Sequence, residues 1–217
     1  MSTTSKPPGI SVGQAWHFVC LSLLLAAVAI VWARLGQSFP IAFWCAIAFP
    51  ILHQVFVWLA WRLELNSSVI SNSIGFQAYL VCFFLLFSGR FVSLAALAWL
   101  DHGSLMLPIF PQLVLTSLLT LLGIYTMVSV KCYFGLARAA GADHFDSHYR
   151  DLPLVNQGIF RFTNNGMYYC GFSLFWALAL GFNSQAALLV AAFSHAYIWV
   201  HFFVTEKPDM HYLYESN

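Results

Sequence analysis

Apolar residues run through this chain in blocks about twenty residues long, separated by short polar breaks. They show neither strand alternation nor the one-sided stripe of a soluble helix. A block of that length crosses about 30 Å of hydrocarbon as a helix. The pattern predicts six spans, at 15–33, 40–61, 75–100, 109–134, 167–182 and 185–204. The expected architecture is an all-α, polytopic transmembrane helix bundle ending in a C-terminal helical hairpin, turned at Asn183-Ser184. The fifth block is short, which predicts tilt or local thinning of the bilayer. Residues 1–14, with Lys6, Pro7, Pro8, Gly9 and Gly13, lack apolar periodicity and read as a disordered lead-in. Ala27-Val28-Ala29 resembles a cleavage site but lies well inside the first block, so that helix is expected to be retained. The whole of 1–217 reads as one integral-membrane domain.

Composition agrees with the pattern. Hydrophobic residues make up 60% of the chain and charged residues 8%, and the mean hydropathy is +0.76, which excludes an ordinary soluble domain. A net charge of +1 with no basic stripe excludes an electrostatic nucleic-acid binder. The five cysteines are scattered and have no Cys-x-x-Cys spacing, so they read as small buried hydrophobes. Of the nine basic residues, six spans place seven on the side of the termini: Lys6, Arg62, Lys131, Arg138, Arg150, Arg161 and Lys207. Arg34 falls on the other side and Arg90 inside a span. That asymmetry orients both termini and the long loop toward the cytoplasm, in the endoplasmic reticulum or a bacterial inner membrane.

Some polar residues sit where they are costly. His53 follows Pro50 by one turn and reads first as a helix–helix hydrogen-bonding group. Arg90 lies in the middle of the third span and must face protein or water. It would contact an anionic headgroup or cofactor carboxylate, or else snorkel or pair with a neighbouring helix. The long polar stretch 135–166 contains Asp143-His144-x-Asp146-x-His148, whose histidines at i and i+4 would share a face if helical and could hold a metal. It lacks the glutamate of a metallohydrolase motif, and no metal is expected. At the end of the chain, His195, Trp199, Phe202 and Glu206 fall on one helical face. The hairpin brings Asn164, Asn165, Tyr168 and Tyr169 close to Glu206. A carboxylate beside aromatic rings at the membrane edge suits a small cationic ligand, although an interfacial tyrosine belt gives the same pattern.

The pattern Gly158-x-Phe160-Arg161-Phe162, then Met167-Tyr168-x-x-Gly171, a hairpin, and Glu206-x-Pro208 resembles the integral-membrane methyltransferases. That group includes phospholipid N-methyltransferases and isoprenylcysteine carboxyl methyltransferases. The likeness covers 121–214, the methyltransferase-like core. Asn165-Gly166-Met167-Tyr168 falls where the family has His-Pro-x-Tyr, and Glu206-Lys207 falls on its Glu-Glu pair. The resemblance implies S-adenosylmethionine as cofactor, contacted by Gly123, Asn165, Gly166, Tyr168, Glu206 and Lys207. It implies a membrane-embedded lipid substrate, with Arg161 toward its phosphate; Arg90, from its place inside a span, is the other substrate-binding candidate. Glu206, Tyr168 and His148 are the catalytic candidates, and a base for an amine acceptor would come from His144, His148 or Glu206. Glu206-x-Pro208-x-Met210 and Tyr212-Leu213-Tyr214 point to the phospholipid branch and a phosphatidylethanolamine-type amine. Carboxyl methylation of a prenylated cysteine and a non-catalytic lipid or partner binder are the rivals.

Overall fold

A computed structural model describes residues 6–215, and among them every regular element is helical, with no strands. The long elements are α1 (Gln14–Arg34), α2 (Pro40–Ser67), α4 (Gly75–Leu100), α5 (Ile109–Ser129) and α8 (Gln185–His201). A short α3 (Val69–Ser73) links α2 to α4, and α6 (Leu136–Ala139) begins the polar loop. α7 (Ser173–Gly181) precedes α8, and α9 (Lys207–Glu215) closes the chain. Three π-helical turns interrupt or extend these helices: Val130–Phe134 after α5, Met167–Gly171 before α7, and Phe202–Glu206 between α8 and α9.

Among the described residues, five helices are long and apolar enough to cross a membrane: Gln14–Arg34, Pro40–Ser67, Gly75–Leu100, Ile109–Phe134 and Gln185–Tyr214. The remaining expected span is Met167–Gly181, about 22 Å of helix against about 30 Å of hydrocarbon. Two expected ends are corrected. α2 continues past 61 to Ser67, and the last helical run continues past 204 through Glu206 into α9. Both extensions carry polar side chains that pair with each other, Arg62 with Asp209, so the helices outlast their apolar stretches.

The lead-in is corrected as well. Pro8, Gly9 and Ile10 offer their carbonyls to Asn66 Nδ2, Arg62 Nη1 and Trp58 Nε1 at 2.9, 2.7 and 2.9 Å. The end of α2, from Trp58 to Asn66, therefore presents a row of donors that fixes this stretch. Residues 1–5 of the expected lead-in lie outside the described residues.

Helix α8 is the centre of the bundle, packed by α1, α2, α4 and α7, while α2 pairs with α4 and α5 with α7. Lipid tails are as apolar as leucine, so helices associate in a bilayer through close packing and polar contacts. Gly89 lies against Phe49, and a side chain there would collide with the ring. Trp32 and Phe43 stack at 4.5 Å and 5°. At the end holding residues 101–108 and 182–185, buried Asp101 accepts from Ser184 Oγ, Ser104 Oγ and the Ala186 N–H. That carboxylate ties the tight turn to α4. Residues 6–13, the α2 extension, the 135–166 loop, α9 and all three π turns gather at the opposite end.

Charge at that end is weaker than the sequence count implies. Arg62 and Arg138 are buried, leaving Lys6, Lys131, Arg150, Arg161 and Lys207 exposed or partly exposed, against Arg34 at the far end. The asymmetry keeps its sign. α4 and α5, although consecutive, both pack on α7 rather than closely on one another.

Candidate active site

Tyr168 and Glu206 come from two different π turns. A π turn widens a helix by one residue and is frequent at functional sites. The Asn165 carbonyl accepts from the N–H groups of Tyr168 and Tyr169 at 3.0 and 3.1 Å, starting the first of these turns. It points the Tyr168 ring at Trp199 and Phe202, with centroids 5.8 and 5.7 Å away, and its hydroxyl donates to Glu206 Oε2. Further along the same face, His195 stacks on Phe172 at 4.9 Å and 8° and accepts from Trp176 Nε1 at 3.2 Å. The four residues aligned by helical spacing, from His195 to Glu206, thus all meet the 168–176 stretch.

Tyr168 also lines a cavity of about 130 Å³ bounded by α2, α4, the ends of α5 and α8, and the start of α7. Arg90 lines it too, 3% exposed, with its guanidinium 5.3 Å over Phe172 and 5.2 Å over Phe175. His53 Nδ1 lies 3.4 Å from Arg90 Nη1. A cation held between ring faces is partly compensated for lost water. His53, Gln54, Thr126 and His201 complete the polar part of the wall.

A buried charge network closes the site from the loop side. Arg62 Nε sits 2.7 Å from Asp209 Oδ1, both side chains fully buried. His144 bridges the carboxylates, Nδ1 to Asp143 Oδ1 at 3.1 Å and Nε2 to Asp209 Oδ2 at 3.4 Å. It stacks on Trp61 at 4.1 Å. Gly141, at φ 85° against Trp61, leaves no room for a side chain at this approach. Burial pulls the His144 pKa down, but the bonds and charges of Asp143 and Asp209 outweigh it and lift the value to about 9. Burial pushes Asp143 up, and His144, Tyr214 and Arg138 together bring it below its ordinary value. Tyr214 donates to Asp143 Oδ2 at 2.9 Å.

The remaining residues singled out from sequence lie elsewhere. Gly123 faces Leu174, where a Cβ would collide, so it serves the α5–α7 contact. Gly166 packs on Ile159 in the same way. Lys207 is exposed, its ammonium 6.0 Å from the Phe203 ring, and Arg161 is exposed. His148 is exposed, its N–H bonded to Asp146 Oδ1. His144 and His148 belong to two separate 3-10 turns, Ala142–His144 and Ser147–Tyr149, not to one helix face. Among the described residues no group of three metal-ligating side chains forms. Sequence reasoning passed over His201, Gln54 and the Arg62–Asp209 pair. The signal for the pair was Asp209, three residues after Glu206 on a run that had been ended too early.

The geometry joins the two C-terminal motifs at one end of an apolar bundle, and a family comparison covers both. Residues 111–217 match the family described as phospholipid methyltransferase. Through this half, the chain belongs to the phospholipid methyltransferase family. The match begins in α5 and takes in both the Tyr168 and the Glu206 turns. Comparison with curated proteins and with solved structures gave no significant match. Membership in this family, with five long apolar helices, makes the protein a membrane methyltransferase. The α1–α4 half, which contributes Arg62 and Arg90 to the site, lies outside the matched region.

Proposed function

We propose that the protein transfers a methyl group from S-adenosylmethionine to the amine headgroup of a membrane phospholipid of the phosphatidylethanolamine type. The observation that carries this reading is the Tyr168–Glu206 hydrogen bond at the edge of an apolar cavity that also holds Arg90. The residues fit such a cofactor. Glu206 is a partly exposed carboxylate among the rings of Tyr168, Trp199 and Phe202, a surrounding suited to a ligand that joins cationic and hydroxyl groups to an aromatic base. The bound cofactor supplies an electrophilic methyl group on a sulfonium.

The chain's own part is to align the acceptor and remove a proton. An ethanolamine ammonium must lose a proton before its nitrogen can attack. Tyr168 faces the cavity and already donates to Glu206, so a proton delivered to the phenol oxygen passes on as the phenol proton moves to the carboxylate. His144 is held cationic between two aspartates and His148 faces outward, which favours Glu206 as the base. Arg90, inside the cavity, is better placed toward a lipid phosphate than Arg161 at the surface. Asn165 and Gly166 shape the turn that presents Tyr168, and Lys207 stays outside. The exposed basic residues favour a cytoplasmic location for this end and for both termini.

Purified protein given methyl-labelled S-adenosylmethionine with phosphatidylethanolamine vesicles is expected to label the lipid. Label appearing only in an added prenylcysteine, or in neither acceptor, contradicts the proposal.

A further inference from the structure

Three helices direct polar side chains that the proton relay does not use into the cavity beside Tyr168. They are His53 and Gln54 from α2, Arg90 from α4 and His201 from the end of α8, each no more than 4% exposed. Among the described residues, His53 Nε2, Gln54 Nε2, Arg90 Nε and Nη2, and both ring nitrogens of His201 have no hydrogen-bond partner. Native interiors rarely leave such atoms unpaired, and several on one cavity wall are a feature to be explained.

These groups have one chemistry in common. A guanidinium and an amide nitrogen only donate, and every imidazole carries at least one N–H. With His53 Nδ1 facing Arg90 Nη1, the imidazole proton belongs on Nε2, which makes that atom a donor as well. No acidic side chain lines the cavity among the described residues. A cluster of donors around a cation, with no counter-charge, complements an anion.

The surrounding wall is greasy. Phe83, Phe84, Phe87 and Phe91 of α4 and Met127 and Val130 at the end of α5 line the same space. α4 and α5 do not pack closely on each other, and both contribute apolar side chains to the cavity wall. A free inorganic anion makes no use of such walls, whereas an amphiphile does.

We propose that His53, Gln54, Arg90 and His201 form a binding site for the anionic group, phosphate or carboxylate, of a membrane amphiphile whose chain leaves between α4 and α5. On the reading given above, which this inference deepens, a phospholipid's phosphate sits at Arg90 and its amine is turned toward Tyr168. The anion site itself lies mostly in the half of the chain outside the family match.

The test uses the full chain purified in maltoside micelles, with calorimetry and thermal unfolding in the presence of dodecyl phosphate, dodecyltrimethylammonium, inorganic phosphate or S-adenosylhomocysteine. Dodecyl phosphate is expected to bind and stabilise the wild type, and neither the cationic amphiphile nor inorganic phosphate is expected to do so. Arg90→Met should bind dodecyl phosphate at least tenfold more weakly while unfolding at the same or a higher temperature, because it no longer buries a cation without a counter-charge. Its affinity for S-adenosylhomocysteine should be unchanged. Gln54→Leu should weaken dodecyl phosphate several-fold, and it decides the matter if Arg90→Met does not fold. Unchanged dodecyl phosphate affinity in these variants overturns the proposal. So does equal binding of inorganic phosphate, which makes the ligand a free anion. A loss of S-adenosylhomocysteine affinity in Arg90→Met, with dodecyl phosphate unaffected, assigns the site to the cofactor's carboxylate and also overturns it. Absence of S-adenosylhomocysteine binding in the wild type counts against the methyltransferase reading alone.

Discussion

The phenol of Tyr168 donates its hydrogen bond to the carboxylate of Glu206, 38 residues away in the chain. Each residue stands on a π turn, and those turns face each other because α7 and α8 form a tight hairpin. The contact joins the two motifs that define the C-terminal half.

Tyr168→Phe keeps the ring against Trp199 and Phe202 and removes only the hydroxyl. If the phenol relays the acceptor's proton, turnover falls by about 10²-fold or more, in the range of a lost general acid–base group. Affinity for S-adenosylhomocysteine should change little. Steady-state rates with phosphatidylethanolamine, measured beside calorimetry, separate the two effects, and an unchanged kcat removes Tyr168 from the chemistry.

Asp209→Ala leaves Arg62 fully buried without its 2.7 Å partner. Stripping one member from a buried pair costs about 3–5 kcal/mol. The variant should unfold at a clearly lower temperature, and the 135–166 loop should become open to protease, since His144 loses one of its two carboxylates. A double change of Arg62 and Asp209 to apolar residues of similar size should recover part of the loss.

The loop's attachment should depend on pH with a definite sign. The folded pKa of His144, about 9, lies above its unfolded value of about 6.5. The stability it contributes is therefore complete below about 6.5 and disappears as pH rises through about 9. Asp143 is shifted the other way, below 3.8, so its contribution is present above that value and fades as pH falls through the lowered one. Proteolysis within 135–166 should be flat below about pH 6.5 down to the acid range where Asp143 protonates, quicken as pH rises from about 6.5 to about 9, and level off above that. In His144→Gln the alkaline rise should disappear.

Gly123 separates a packing role from a cofactor role. Gly123→Leu forces a side chain into Leu174 and should destabilise by about 1–3 kcal/mol through overpacking. A variant that keeps its unfolding temperature but loses S-adenosylhomocysteine affinity would instead return Gly123 to the cofactor.

Much of this was legible in the sequence because bilayer thickness constrains apolar block length so strongly. The helical class, the hairpin and the approach of Tyr168 to Glu206 follow from block boundaries and helical spacing alone. Ends were misjudged where pairing replaced hydropathy as the reason for helix. Arg62 and Asp209 carry two helices beyond their apolar runs, and the donors along the end of α2 order residues 8–10. Gly123 and Gly166 drew attention as cofactor glycines, yet they sit where helices need close approach, and one sequence cannot separate these uses. His201 was invisible because a lone histidine on an apolar helix carries no sign of which neighbours it will lack.

Calorimetry of S-adenosylhomocysteine binding to the wild type and to Glu206→Gln tests the central assignment most directly. Saturable binding by the wild type, weakened at least tenfold in Glu206→Gln with no fall in unfolding temperature, is the predicted result. Equal binding by both proteins, or none by the wild type, would contradict the placement of the cofactor at Tyr168 and Glu206.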